Sequence, residues 1–160
     1  MRNKVKPGAD LKKILAQRRA KGEKIVFTNG CFDLIHIGHT RYLQAARELG
    51  DLLVVGVNSD ASMRRLSKGA GRPIVPDAQR GEVLAALACV DYVVLFDEPD
   101  PGRLIADLQP DILVKGGDWA PDHIIGREIV EAHGGTVRTI PLVPGVSTTA
   151  LVKKIQDLKA

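Results

Sequence analysis

Two histidines three residues apart, His36 and His39, lie in the stretch TNGCFDLIHIGHTRYLQ (28–44), where a strand-like run gives way to a helix-like one. At such a junction a helix amino terminus offers backbone N–H groups and the positive end of a dipole, both suited to a phosphate. The imidazoles add two directed donors. Each has an ordinary pKa of about 6.5 and becomes cationic beside a polyphosphate while still donating. Gly38, between them, would let the backbone approach a ligand closely. The competing readings are a solvent-facing histidine followed by a helix cap, and a zinc pair. Metalloprotease histidines, however, sit four apart on a helix around a glutamate, a pattern this chain lacks.

Two other segments carry similar chemistry. In KGGDW (115–119), Lys115, Gly116, Gly117 and Asp118 follow an apolar run. A carboxylate there could accept from a ribose hydroxyl, and the glycines would let a base or sugar approach; a plain turn is the alternative. In PGVSTTALVKKI, three hydroxyl residues, Ser147, Thr148 and Thr149, open a helical pattern. One suffices as a cap, so three fit either simple capping or a second phosphate cradle.

The elements that must position these groups are read from periodicity. KIVFT (24–28), LLVVGV (52–57), YVVLF (92–96), DILVKG (111–116) and TVRTIPL (136–142) are mostly continuous apolar runs, as expected of strands buried on both faces. Helical patterns lie between them. HTRYLQAARELG puts Tyr42, Leu43, Ala46 and Leu49 on one face and stops at Gly50. DAQRGEVLAALACV starts at Asp77 after Pro76, and DPGRLIADLQP runs into Pro110. PDHIIGREIVEAHGG ends at a double glycine, and STTALVKKIQDLK is capped by Ser147 or a neighbouring threonine. This alternation predicts an α/β fold, a Rossmann-like parallel five-stranded sheet with helices on both faces. Strand one should end near Thr28, and the next helix should begin near Gly38 or His39. Ligands of such sheets bind outside the carboxyl ends of the strands, where all three segments fall. SKGAGRPIVPD (67–77) is a candidate mobile loop.

The 160 residues predict one domain, 1–160, with an N-terminal helical extension over 1–22 and a core over 23–158. With 44% hydrophobic and 26% charged residues the chain is globular in composition. Cys31 and Cys89 form no CxxC pair, which argues against a disulfide framework or zinc site and fits a reducing cytoplasm. No apolar stretch reaches the roughly 18 residues of a membrane span, and the basic amino terminus lacks a signal peptide's apolar run. The expectation is a soluble, unexported protein with no membrane partner. A net charge of +4 is concentrated at Lys12, Lys13, Arg18 and Arg19 and again at Arg64, Arg65, Lys68 and Arg72, which calls for an anionic partner. At 4% aromatic, without basic stretches interleaved with aromatics, a phosphorylated metabolite is favoured over nucleic acid.

GCFDLIHIGH resembles the signature of the HIGH-motif nucleotidyltransferases, in which a (T/N)G(T/C)FD loop precedes HxGH and both histidines hold nucleotide phosphates. With KGGDW and VSTT, the chain resembles the cytidylyltransferase-like family, glycerol-3-phosphate cytidylyltransferase being a close parallel. The string TNGCFDLIHIGH … VNSDAS … RP … QR … VDYVV … LVKGGDW … STT, over roughly residues 22 to 157, is most similar to the heptose-1-phosphate adenylyltransferase branch. That branch includes a stand-alone form and the second half of bifunctional kinase/adenylyltransferases. The chain carries no kinase half, so the stand-alone form is implied.

The resemblance implies transfer of AMP from ATP to D-glycero-D-manno-heptose 1-phosphate, giving ADP-heptose and pyrophosphate for lipopolysaccharide core synthesis. A cytidylyltransferase acting on glycerol 3-phosphate or another small phosphorylated metabolite, and a nonenzymatic nucleotide-binding module, are the alternatives. An aminoacyl-tRNA synthetase fragment, which also carries a HIGH string, is disfavoured by the chain's length. It further implies that Asn29, Gly30, Cys31, Phe32 and Asp33 form the nucleotide-binding loop, with Asp33 near the reacting phosphates. His36, Gly38 and His39 would meet phosphate oxygens, Lys115 to Asp118 the nucleoside, and Ser147 to Thr149 the terminal phosphates. Arg80 matches a family arginine near the triphosphate, the alternative being a solvated helix arginine. Lys68 is the nearest match to the catalytic lysine, with Arg64 or Arg65 as substitutes because the loop is a residue longer than usual. Asn58 and Asp60 would face the sugar phosphate, although both are ordinary turn formers. Cys31 reads as a small packing residue rather than a nucleophile. Magnesium is expected mainly on the ATP phosphates. A homo-oligomer, dimer or higher, is expected, with Val83, Leu84 and Leu87 as a candidate contact.

Overall fold

The computed structural model describes residues 4–66, 71–117 and 123–158. Five strands, β1 (Ile25–Gly30), β2 (Leu52–Asn58), β3 (Tyr92–Phe96), β4 (Ile112–Gly116) and β5 (Thr136–Ile140), form one parallel sheet in the order β3-β2-β1-β4-β5. The helices are α1 (Gly8–Arg19), α2 (Ile37–Arg47), α3 (Asp60–Arg65), α4 (Asp77–Ala86), α5 (Gly102–Leu108), α6 (Arg127–Ala132) and α7 (Thr148–Asp157). None of the described helices is long and apolar enough to cross a membrane.

Neighbouring strand residues point to opposite faces, and both faces are covered. Phe27, Val54 and Leu113 share one core with Leu11 and Leu15 of α1 and Ile105 of α5. Val26, Leu53, Val55 and Val93 share the other with Leu43 and Ala46 of α2 and Leu84 of α4. That double burial explains why the strands read as continuous apolar runs.

The chain winds outward from β1 through β2 to β3, then crosses back to add β4 and β5 on the other side of β1. The reversal lies between β1 and β4, and the ladder there is short. β1 is registered with β2 from Ile25 to Gly30, but with β4 only at Val26 and Phe27. The carboxyl ends of β1 and β4 therefore diverge, opening a crevice at the switch point.

Several boundaries depart from the sequence reading. β1 continues to Gly30, β2 to Asn58, and β5 stops at Ile140. α2 begins at Ile37, earlier than expected, because the His36 ring caps it by accepting from the His39 N–H. Leu49 lies beyond the last helical residue, Arg47, and is exposed rather than buried with Tyr42, Leu43 and Ala46. Leu84 is fully buried and Leu87 packs against the core, so of the candidate oligomer contact only Val83 is exposed, at 48%. The short helix α3 was not expected, six residues being too few for a periodic signal. The amino-terminal segment is more than a helical extension: Lys6 N donates to Val93 O and Val93 N to Lys4 O, covering the outer edge of β3. Lys4 Nζ secures it on the carbonyls of Leu87 and Val90.

Candidate active site

A cleft of about 780 Å³ occupies the switch-point crevice, lined by the ends of β1, β2 and β4 and by the turns that follow them. Its centre is the turn from β1 into α2. Phe32 adopts φ +49°, an uncommon conformation for a bulky side chain, and its buried ring folds back towards Gly30. A Cβ at Gly30 would come within 3.0 Å of that ring, so this position has little room for a side chain. The Phe32 ring also meets His39 edge to face, with centroids 5.2 Å apart, and so buttresses it.

His36 and His39 are stacked, with ring centroids 3.9 Å apart and planes 16° from parallel. His36 Nδ1 accepts from the His39 backbone N–H at 3.4 Å. A Cβ on Gly38 would stand 2.9 Å from the His36 ring, so glycine is what allows this imidazole to fold over the helix end. Burial, then the neighbouring His36, pushes the His39 pKa down to about 4. The Leu34 backbone opposes this, near enough to be felt yet making no bond with His39 Nδ1 that meets hydrogen-bond geometry. Burial also lowers the pKa of His36. Both rings are therefore neutral at neutral pH in the unliganded chain, and the buried His39 Nδ1 lacks a partner among the described residues. An anion at the cleft would reverse the electrostatic balance and favour protonation.

The remaining expected residues divide into those that face the cleft and those that hold its walls. Asn29, Cys31, Asn58, Gly116, Ser147, Thr148 and Thr149 line it. Lys115, buried at the end of β4, donates to Asn29 Oδ1 and bridges the diverging strands. Asn58 donates to Ser62 Oγ at 3.0 Å, and the Cys31 thiol lies 4.0 Å from its Oδ1. Ser147 caps α7 by accepting from Ala150 N at 3.1 Å, and Thr148 Oγ1 reaches Leu34 O at 3.4 Å, joining α7 to the central turn. Gly117 turns away from the cleft: its N–H donates to Ile140 O at 2.8 Å, and a Cβ there would meet Ile140 O and the Pro141 Cα at 3.3 Å.

Two expectations are corrected, those for Arg80 and Asp60, while Asp33 stays at the cleft. Asp33 lines the cleft, but its carboxylate is committed to the segment after α3, accepting from Arg72 Nη1 at 2.7 Å and from the N–H groups of Ile74 and Val75 at 2.9 Å each. Burial raises its pKa, but the bonds from Val75, Arg72 and Ile74 outweigh that and leave it lowered. Arg80 is neither a phosphate-facing nor a solvated arginine; it is fully buried, donating to Val75 O at 2.9 Å, to Asp60 Oδ1 at 2.8 Å and to the Cys31 carbonyl. Asp60 does not line the cleft either, because it pairs with Arg80 and accepts from Asp77 N at 3.0 Å, while Asp77 Oδ2 accepts from Asp60 N at 2.9 Å. The reason for these two is shared: a buried guanidinium needs a partner, and Asp60 supplies its carboxylate.

Lys68 and Asp118 lie outside the described residues. The substitutes for Lys68 are not brought to the cleft: Arg64 and Arg65 are exposed on α3, and Arg65 donates to Asp97 O at 3.1 Å. The described part of the candidate mobile loop, 71–77, is fastened at Asp33, Asp60 and Arg80. Residues missed in the sequence include Tyr42, whose hydroxyl lies 2.7 Å from Thr28 Oγ1, and the apolar wall of Leu142, Val143 and Val146. Tyr42 was legible only as one of a helix's apolar face, and the wall carries no motif. Arg72 had a signal, its place in a basic cluster, but nothing that assigned it to the cleft.

The model of a family described as cytidylyltransferase-like matches residues 27–154. Over 155 residues the chain is 55% identical to the bifunctional protein HldE of Trichlorobacter lovleyi, and 54% identical to that of Syntrophotalea carbinolica. Each match covers 97% of this chain but 31% of the relative, so the chain spans about a third of the length of these curated relatives. Among solved structures it resembles a lipopolysaccharide core biosynthesis protein from Thermoplasma volcanium, with a TM-score of 0.64 and 31% identity over 76% of this chain and 98% of the other. A pantothenate synthetase from Thermus thermophilus has a TM-score of 0.57 at 19% identity, over 88% of this chain and 62% of the other, and shares the fold.

Proposed function

The chain belongs to the cytidylyltransferase-like family, and from that premise we propose that it is a nucleotidyltransferase that transfers AMP from ATP to D-glycero-D-manno-heptose 1-phosphate, forming ADP-heptose and pyrophosphate. The observation that carries the reaction type is the stacked pair His36 and His39 on the amino terminus of α2, lining the switch-point cleft. The acceptor is supported by the sequence string shared with heptose-1-phosphate adenylyltransferases and by the likeness to a lipopolysaccharide core biosynthesis protein.

In the reaction a phosphate oxygen of the sugar phosphate forms a bond to the α-phosphorus of ATP. The bond from that phosphorus to the bridging oxygen breaks, and its electron pair leaves with pyrophosphate. The nucleophile is already an anion and the leaving group needs only charge neutralisation, so no general base or covalent intermediate is required. The site must hold two anions in line and meet the charge that develops on the leaving phosphates. His36 and His39, with the N–H groups of the α2 terminus, serve the nucleotide phosphates, and the hydroxyls of Ser147 to Thr149 serve the terminal ones. Lys68 supplies the loop cation in this reading, and Asp118 the nucleoside contact.

No group of three or more acidic, histidine or cysteine side chains among the described residues could hold a metal ion, and both oxygens of Asp33 are engaged. Magnesium therefore belongs to the nucleotide in this proposal, and no step is assigned to it. The same reading has the protein acting in the cytoplasm, supported by Cys31 and Cys89 being free thiols, and as a homo-oligomer, which sedimentation at several concentrations would read.

Pyrophosphate release tests the proposal, with ATP and CTP each paired with heptose 1-phosphate and glycerol 3-phosphate. Turnover is expected for ATP with the heptose phosphate and should be lost in His39→Ala. Activity with CTP and glycerol phosphate would keep the chemistry and replace the substrates; silence in all four pairs from folded protein would overturn both substrate readings and leave another acceptor or a nonenzymatic nucleotide-binding role.

A further inference from the structure

The cleft has two sides set by the strand order, and each displays one lysine or arginine among its described lining residues. Lys115 stands on the β4 side, tied to Asn29. Arg72 stands on the β2 side, in the segment fastened over the start of α3 by the Asp60 and Asp77 bonds. The reaction above brings two anions together, and the His36 and His39 turn with the Ser147 terminus belongs to the one with several phosphates.

Arg72 is held in an unusual way. Asp33 is buried, yet two backbone N–H groups already satisfy its Oδ1, and Arg72 adds one bond, from Nη1 to Oδ2. That end-on contact uses a single nitrogen of a fork with five N–H donors. The side chain retains 16% exposure, and it lines the cleft rather than the core. The contact fixes the guanidinium in place while leaving its other edge available for a second, bidentate partner. Beside it the β2 side presents Asn58, Met63 and Leu66.

We propose that Arg72, oriented by Asp33, binds the phosphate of the acceptor and so selects phosphorylated over unphosphorylated acceptors. This rests on the reading of the chain as a nucleotidyltransferase with a phosphorylated acceptor, and deepens it by naming the residue that recognises that phosphate. Asp33 is then a positioning residue: it aims the guanidinium and tempers its charge, so that the arriving anion meets a donor already in place.

The test measures steady-state kinetics on Arg72→Gln and Arg72→Lys, with whichever phosphorylated acceptor the wild type uses. Charged hydrogen bonds to a phosphate are strong enough that Arg72→Gln should raise the KM for the acceptor about 10- to 100-fold. The KM for ATP should stay within about twofold, which a merely structural role would not allow. Arg72→Lys keeps the charge without the fork and should recover only part of the loss. Inorganic phosphate should inhibit the wild type competitively with the acceptor, and Arg72→Gln much more weakly. A rise in both KM values together, a rise for ATP alone, or no change in either would overturn the assignment. Should Arg72→Gln fail to fold, the Lys variant and the phosphate competition decide. A wild type silent with heptose 1-phosphate but active on another phosphorylated acceptor would remove the heptose reading and leave Arg72 on trial; silence with every acceptor would remove both.

Discussion

The two walls of the cleft are built on different physics. The turn from β1 into α2 is held by sterics and neutral contacts: a glycine at Gly38 too close to the His36 ring to be anything larger, a phenylalanine at φ +49°, and two stacked imidazoles. The wall over β2 is held by charge, through the chain of bonds from Asp33 to Arg72, from Arg80 to Asp60, and from Arg80 to the carbonyls of Val75 and Cys31. A neutral wall can take up charge when a polyphosphate arrives. A wall of mutually satisfied ions is rigid before any ligand is present, and its cost is that every member depends on the others.

The contrast is most sharply tested by removing one group from each. His39→Ala should cut the rate of pyrophosphate release about 100- to 1000-fold, while thermal melting stays close to that of the wild type. Gly38→Ala should follow it in direction, because the added Cβ, 2.9 Å from the His36 ring, forces that imidazole off the helix end. Arg80→Met should do the opposite. It leaves Asp60 without its cation and two carbonyls without a donor, so denaturant unfolding should show a loss of about 3 kcal/mol. If His39→Ala unfolded the protein, or Arg80→Met left its stability untouched, the division between the walls would be broken.

The same division governs what was legible in the sequence. The sterically built wall is local: the loop, both histidines and the following helix lie within the segment 28–47, and the string they form carries the family resemblance that points to a phosphate-binding turn. The five strands were equally legible, because burial on both faces writes continuous apolar runs. The ionic wall joins residues up to 49 positions apart, as from Arg80 to Cys31, and no periodicity reports such a pairing. Arg80 and Asp60 were read as ligand contacts because a charged residue near a site looks the same in sequence whether it faces substrate or another charge. The two faces of α4 were misread for a related reason: Val83 and Leu84 are adjacent and both apolar, and only packing separates the exposed one from the core.

Titration should distinguish the walls by direction. In the folded chain the His39 pKa is about 4, below its ordinary value of 6.5, so folding favours the neutral ring. Between those values the unfolded chain binds the extra proton, and stability should fall as pH drops from 6.5 towards 4. Asp33, whose folded pKa is lowered, contributes stability that is present above its ordinary value of 3.8 and is lost as pH falls further, through the folded value. His39→Ala should flatten the first window and leave the second. Nucleotide binding should act against the first effect, since phosphates favour the imidazolium, so calorimetry near pH 6 in buffers of different ionisation enthalpy should show net proton uptake. Absence of uptake in the wild type would mean that the rings meet the phosphates as neutral donors.

The smallest expected effect tests whether the neutral wall extends to α7. Thr148 Oγ1 and Leu34 O, 3.4 Å apart, join the start of α7 to the His36 turn across 114 residues, with no charge involved. Thr148→Val keeps the shape and removes the bond, which at that length is weak, so stability should change by about 0.5 kcal/mol. The KM for ATP should rise severalfold, because the hydroxyl sits in the cleft beside Ser147, whereas the acceptor KM should not move. A matching rise for the acceptor would mean that α7 serves both substrates, and the boundary between the walls would then run through the nucleotide site rather than beside it.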